Sequence, residues 1–182
     1  MKEIKLGKSG DLDQTMTISA VICLTLMAAG LALAAIYLLQ LTVLEGIVFG
    51  VVVTFLHFDS ELFHQQGHAA AARKAGYPMI GIRYWAIFGA SIYPPDEPEL
   101  PAEIHIQRAL GGPRNSAMMT AVAAIAVYFA WTMTGFGGLI FDVFVFWGLD
   151  NLLFFTLGSF LPLGFTDGST LMRWWPKRSK QP

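Results

Sequence analysis

Phe63-His64-Gln65-Gln66-Gly67-His68-Ala69-Ala70 closes a long apolar run, and its reading sets how the rest of the chain is understood. His64 and His68 are four residues apart. On an α-helix that spacing puts both imidazoles on one face, one turn apart, where they can share a metal ion. The 17 residues ahead of His64, Ile47 to Phe63, contain Asp59 and Glu61 as their only acids and no Lys or Arg. A metal held there would lie inside or at the edge of a membrane. The pattern is that of H-E-x-x-H, a helix-borne zinc motif, with Gln65 in place of the Glu. His57 and Glu61 fall on the same helix face and are candidates for cavity-lining or ligand-supporting groups. Glu61-x-x-His64 also has the spacing used in carboxylate-bridged di-iron bundles, but no second copy of it occurs in the chain.

By length the 182 residues form one domain. With 54% apolar and 14% charged residues, the composition is richer in apolar and poorer in charged residues than soluble domains are. Gln14 to Leu44 is a run of 31 positions without a formal charge, long enough to cross a hydrocarbon core of roughly 30 Å. It is too long for the apolar core of a signal peptide and reads as a retained anchor, although the small residues from Ala29 to Ala35 resemble a cleavage site. The single cysteine, Cys23, lies inside this run, excludes an internal disulfide and reads as a small hydrophobe. The net charge of −1 points to no partner, and no nucleic-acid partner is expected.

Four membrane segments follow from the pattern, giving an all-α polytopic membrane protein as the expected fold class. Residues 1–14 form an N-terminal segment, 15–39 the first span and 45–74 a second that contains the histidine motif. Residues 75–111 form a loop, 112–141 a third span, 142–172 a fourth and 173–182 a basic tail. Lys2, Lys5 and Lys8 precede the first span; Arg73, Lys74, Arg83, Arg108 and Arg114 lie between the second and third; Arg173, Lys177, Arg178 and Lys180 follow the fourth. With four crossings all twelve fall on one side, and the two opposite turns offer only Glu45 and Asp142. The positive-inside rule then puts both termini and the 75–111 loop in the cytoplasm. His64 is nine residues before Arg73, about 13 Å in from that interface at the helical rise. Polar residues at such depth are costly and point to function.

Within the loop, Met79 to Phe88 is rich in β-branched and aromatic residues and predicts one or two strands. Such a segment is either interfacial, held by Tyr84 and Trp85, or an edge that pairs with an extended substrate. Tyr93 to Pro101 is a Pro-rich acidic linker. Arg173-Trp174-Trp175-Pro176-Lys177-Arg178 reads as an aromatic and basic interfacial anchor. Asp150-Asn151, in the middle of the fourth span, is either a polar contact inside the bundle or a lumen-facing group.

A zinc site needs a third protein ligand, and a catalytic one keeps a further position open. Asp167 is the candidate, in Ser159-Phe160-Leu161-Pro162-Leu163-Gly164-Phe165-Thr166-Asp167-Gly168. The alternative for this residue is a helix N-cap. Pro162 and Gly164 would break the helix, which is tolerated at membrane depth where the backbone lines a polar cavity. The end of the fourth span lies on the same side as the end of the second, so the topology lets Asp167 meet His64 and His68.

His64-Gln65-Gln66-Gly67-His68, taken with Pro162 and Asp167-Gly168, resembles the site-2 protease family of intramembrane zinc metalloproteases. That family contains H-E-x-G-H in one membrane helix and N-x-x-P-x-x-x-x-D-G in a later one. The resemblance covers the three core spans, about residues 45 to 173. It implies one zinc per chain on His64, His68 and Asp167, and hydrolysis of peptide bonds in or near transmembrane segments of membrane-tethered substrates. Three departures stand out: Gln65 replaces the catalytic Glu, Ser159 replaces an Asn, and G-P-x-x-N appears as Gly112-Pro113-Arg114-Asn115-Ser116. Asn115, Ser116 and Ser159 are therefore the candidates for holding a substrate backbone. In the family the Glu takes a proton from the attacking water and returns it to the leaving amine. A carboxamide can do neither, so this chain is expected to bind zinc without cleaving. It is either an enzyme inactivated at position 65 or a natural pseudoprotease that binds and regulates membrane partners.

Overall fold

The computed structural model describes residues 3–178; Lys2 and Lys180 of the charge pattern and the end of the basic tail lie outside them. The chain begins with two strands, β1 (Glu3–Ser9) and β2 (Leu12–Thr17), joined through Gly10, whose φ of 60° gives the tight reversal. Helix α1 (Ile18–Leu38) follows directly, its first turn capped by Thr17 Oγ1, which accepts from the Ala20 amide at 3.3 Å. It is apolar on every side, and Ile22, Leu26, Leu33 and Leu38 stay exposed on its surface, as expected of a helix in lipid. A capping box of Thr42 and Glu45 opens the long α2 (Val43–Lys74). Unlike α1, this helix buries a polar stripe that includes His57, Ser60, Glu61, His64, Gln65 and His68.

After α2 come β3 (Gly81–Trp85) and β4 (Phe88–Ile92), then α3 (Ala102–Ala109) and α4 (Gly111–Thr134). Helix α5 (Leu139–Leu149) runs on as a π-helical stretch, Asp150–Leu157, and ends in a single 3₁₀ turn, Gly158–Phe160. The short α6 (Asp167–Trp174) closes the described core. Among the described residues four helical stretches, 18–38, 43–74, 102–134 and 139–160, are long and apolar enough to cross a membrane.

The strands form one sheet in the order β1-β2-β3-β4, with β2 parallel to β3 and both hairpins antiparallel. The stretch Met79 to Phe88, expected to hold one or two strands, holds β3 and only the first residue of β4, and the sheet is completed by the N-terminal hairpin. Pairing β2 with β3 also puts the chain ahead of α1 and the chain after α2 at the same end of the bundle. Below the sheet, Leu12, Met16, Ile82 and Tyr84 pack with Ala69 and Ala72 of α2 in a small apolar core.

The boundary between the third and fourth spans lies earlier than the charge pattern places it. The uncharged run from Asn115 to Phe141 contains the turn at Gly135-Phe136-Gly137-Gly138, where all three glycines have positive φ. A turn without charges is invisible to a hydropathy reading. The fourth span in turn ends at Phe160, and the Pro162 and Gly164 region separates it from α6.

Helices α2 and α4 approach closely at Gly67 and Gly111, where a Cβ on either residue would overlap the backbone carbonyl of the other. Small residues permit such contact in membranes, where packing rather than apolar burial holds helices together. Asn115 reinforces the pair by donating from Nδ2 to the Phe63 carbonyl at 3.1 Å. Against α5, Ser60 Oγ accepts from Trp147 Nε1 and Asn151 Nδ2, both at 3.0 Å, and donates to the Leu56 carbonyl.

Candidate metal centre

One helical turn of α2 presents the two imidazoles side by side, with His64 Nε2 and His68 Nε2 only 3.0 Å apart. Asp167 enters from the far side. It is the first residue of α6 rather than its cap, a position Thr166 occupies, and its side chain turns inward. Its Oδ2 lies 3.2 Å from His64 Nε2 and its Oδ1 3.3 Å from His68 Nε2. The three residues thus offer ligand atoms within 4.8 Å of one another.

The other ring nitrogens are held from behind. His68 Nδ1 lies 2.8 Å from the Arg108 carbonyl, which can only accept, and 3.3 Å from the Gly112 amide; the shorter contact, to the carbonyl, puts the proton on Nδ1 and leaves Nε2 with a lone pair. His64 Nδ1 lies 2.8 Å from the Ser116 hydroxyl. Such partners fix the ring orientation of metal-ligating histidines. Gly112 completes the cradle, since a Cβ there would overlap Nε2 of both rings. Two imidazole nitrogens and a carboxylate, converging without a cationic side chain among them, fit a divalent metal with a further position open.

Gln65 points to the same side. Its Nε2 donates to Glu61 Oε1 at 2.9 Å, and its Oε1 accepts from Ser91 Oγ at 2.8 Å. Strand β4 crosses directly above it: a Cβ on Gly89 would overlap Glu61 Oε1 and crowd the Gln65 side chain. A cavity of about 580 Å³ opens between β4, α2 and the π-helical stretch, with His64, Gln65, His68 and Asp167 in its wall. Among the described residues β4 is the last strand of the sheet and keeps one edge unpaired.

The three residues expected to hold substrate are placed differently from one another. Ser159 lines the cavity, its hydroxyl donating to the Thr156 carbonyl at 2.9 Å. Ser116 is 1% exposed and engages His64, while Asn115 joins α4 to α2. Sequence reasoning missed the Arg108 carbonyl, Gly112 and Ser91. No local pattern marks a backbone carbonyl as a ring partner. Gly112 and Ser91 become visible only when α4 and β4 are laid against α2.

No family model and no curated protein matches the chain. Among solved structures it is similar to "Site-2 Protease from Methanocaldococcus jannaschii", with a TM-score of 0.66 and 20% sequence identity, over 99% of this chain and 73% of that one. With four membrane-length helices arranged in that manner, the chain is a multi-pass membrane protein with the fold of a site-2 protease.

Proposed function

We propose that the chain is built as an intramembrane zinc metallopeptidase and stands, with Gln65, in a form that binds without cleaving. The observation that carries this reading is the convergence of His64 Nε2, His68 Nε2 and the Asp167 carboxylate on the wall of a cavity that a free strand edge also borders. Zinc on these three ligands would supply Lewis-acid chemistry to a peptide carbonyl and to water.

The chain's own residues account for the remaining tasks. The exposed edge of β4 offers backbone amides and carbonyls to an extended segment, which a substrate helix becomes on unwinding. Ser159 adds a hydroxyl to the cavity wall. Phe88, Phe154 and Phe165 give the cavity an apolar rim suited to transmembrane side chains. Position 65 lies where a general base would take the proton of an attacking water, and a carboxamide has no titratable group for it. The substrates are membrane-tethered proteins, and the cytoplasmic placement of the metal end follows from the Lys and Arg distribution.

The second reading, a protein that binds membrane segments without hydrolysing them, is favoured by the fit of Gln65 itself. Its amide donates to Glu61 and its carbonyl accepts from Ser91, so both ends of the carboxamide are matched. The deciding experiment is metal content of the purified full chain beside a His64→Ala control, followed by Gln65→Glu and a transmembrane peptide assay. One zinc per chain, lost in the control, with cleavage after Gln65→Glu, is the outcome expected of the enzyme. Bound zinc with persistent silence after Gln65→Glu would transfer support to the binding protein. Absence of zinc from the parent chain would sink the hydrolase reading and leave the binding protein as the better account.

A further inference from the structure

His57 lies seven residues before His64 on the buried face of α2 and takes no part in the metal centre. It is 2% exposed, and both its ring nitrogens are engaged. Nδ1 lies 3.0 and 3.2 Å from the two oxygens of Asp150, and Nε2 lies 3.0 Å from the Ile87 carbonyl. A carbonyl only accepts, so Nε2 carries a proton, and the contact between Nδ1 and the Asp150 carboxyl needs one further proton. Imidazole is the stronger base of the two side chains, which puts that proton on the ring and makes the contact an imidazolium–carboxylate pair. Counting back from Arg73 at the helical rise, the pair is about 24 Å from the charged end of α2, within its apolar span, where an unpaired charge is costly.

Each partner belongs to a different element. Ile87 is in the two-residue turn between β3 and β4, beside Ala86, whose φ of 48° is unusual for a residue with a Cβ. Asp150 opens the π-helical stretch. The same two elements meet again close by: Phe88, at the head of β4, stacks on Phe154, four residues after Asp150, with centroids 5.5 Å apart and planes within 18°. Phe155 lies against the His57 ring on one side and the His64 ring on the other, at 5.0 and 6.0 Å.

We propose that His57 is a positioning residue, a buried imidazolium that latches the β3–β4 turn to α2 and to the π-helical stretch and thereby sets the free edge of β4 beside the metal ligands. Its importance for an extended substrate rests on the function proposed above; the latch itself does not.

The test uses the full chain in lipid nanodiscs with ¹⁵N-labelled histidine. At pH 8 the His57 signal, assigned by its loss in His57→Phe, is expected to have both ring nitrogens protonated. A ring with one bare nitrogen would overturn the assignment. The double variant His57→Phe/Asp150→Leu removes the pair without stranding a charge and keeps an aromatic ring among Phe154 and Phe155. Its backbone amides from 86 to 92 are expected to exchange with deuterium about tenfold faster than in the parent. The amides of 64 to 74 should keep their rates. Unchanged exchange at 86 to 92 would refute the latch. Zinc content of the parent reports on the metallopeptidase reading alone, and turn exchange on the latch alone, so either can fail without the other.

Discussion

Ser91 on the edge strand donates a 2.8 Å hydrogen bond to Oε1 of Gln65, tying the strand that borders the cavity to a side chain one residue after His64. The opposite end of that side chain donates to Glu61, 2.9 Å away. Replacing Gln65 by Glu keeps the first bond and removes the amide donor of the second, so two carboxyl groups then meet in a buried setting. Gln65→Glu is therefore expected to lower the thermal midpoint, at a cost of about 1–3 kcal/mol. Adding Glu61→Gln restores a donor and should return most of the loss. Equal midpoints for the single and double variants would show that the two side chains do not interact.

Gly112 leaves the space between the two Nε2 atoms free. Gly112→Ala favours α4 by helix propensity, by about 1 kcal/mol, yet pushes a methyl group into the rings. Steric exclusion is the larger effect here, so zinc content of the purified variant should fall to that of His64→Ala while the chain stays helical by circular dichroism. Retention of full zinc would mean that the cradle lies elsewhere.

Ser116→Ala removes the hydroxyl that holds His64 Nδ1. Loss of such a partner typically weakens metal binding by about 10- to 100-fold. Competition titration with a chelator measures it, and an affinity equal to the parent's would leave Ser116 a packing residue only.

Gly67→Ala tests the crossing of α2 and α4, where the added methyl would overlap the Gly111 backbone. Backbone cannot move aside as a flexible side chain does, so a cost of about 1–3 kcal/mol is expected from overpacking. Gly67→Ser should cost no less, and a variant as stable as the parent in detergent would contradict the close approach.

Arg108 donates to both oxygens of Glu97, at 2.9 and 2.5 Å, while its backbone carbonyl holds His68. The hydrogen bond from Arg108 holds the Glu97 carboxyl below its ordinary value of 4.5. A lowered folded-state value means that the pair's contribution is complete above 4.5 and disappears as the pH falls through the lower value. At pH 7 Glu97→Gln should melt below the parent, and the gap should close as the pH falls below 4.5. A gap that stays constant from pH 7 to pH 3 would exclude this pair as the source.

The membrane-spanning character, the two-histidine turn and the break that delivers Asp167 are legible in residue order alone. Each of these depends on local order: charge-free length, a four-residue spacing on one helix, and Pro162 with Gly164 after an apolar run. The His57 to Asp150 pair, the Arg108 carbonyl behind His68 and the Ser91 contact to Gln65 came only with the tertiary structure. So did the parallel pairing of β2 with β3, across the whole of α1 and α2, which turns a short hairpin into a sheet with β4 at its edge. The reason is physical. Hydropathy and helical periodicity are properties of neighbours along the chain, whereas strand partners and buried hydrogen bonds are chosen by which surfaces the close-packed helices leave facing each other.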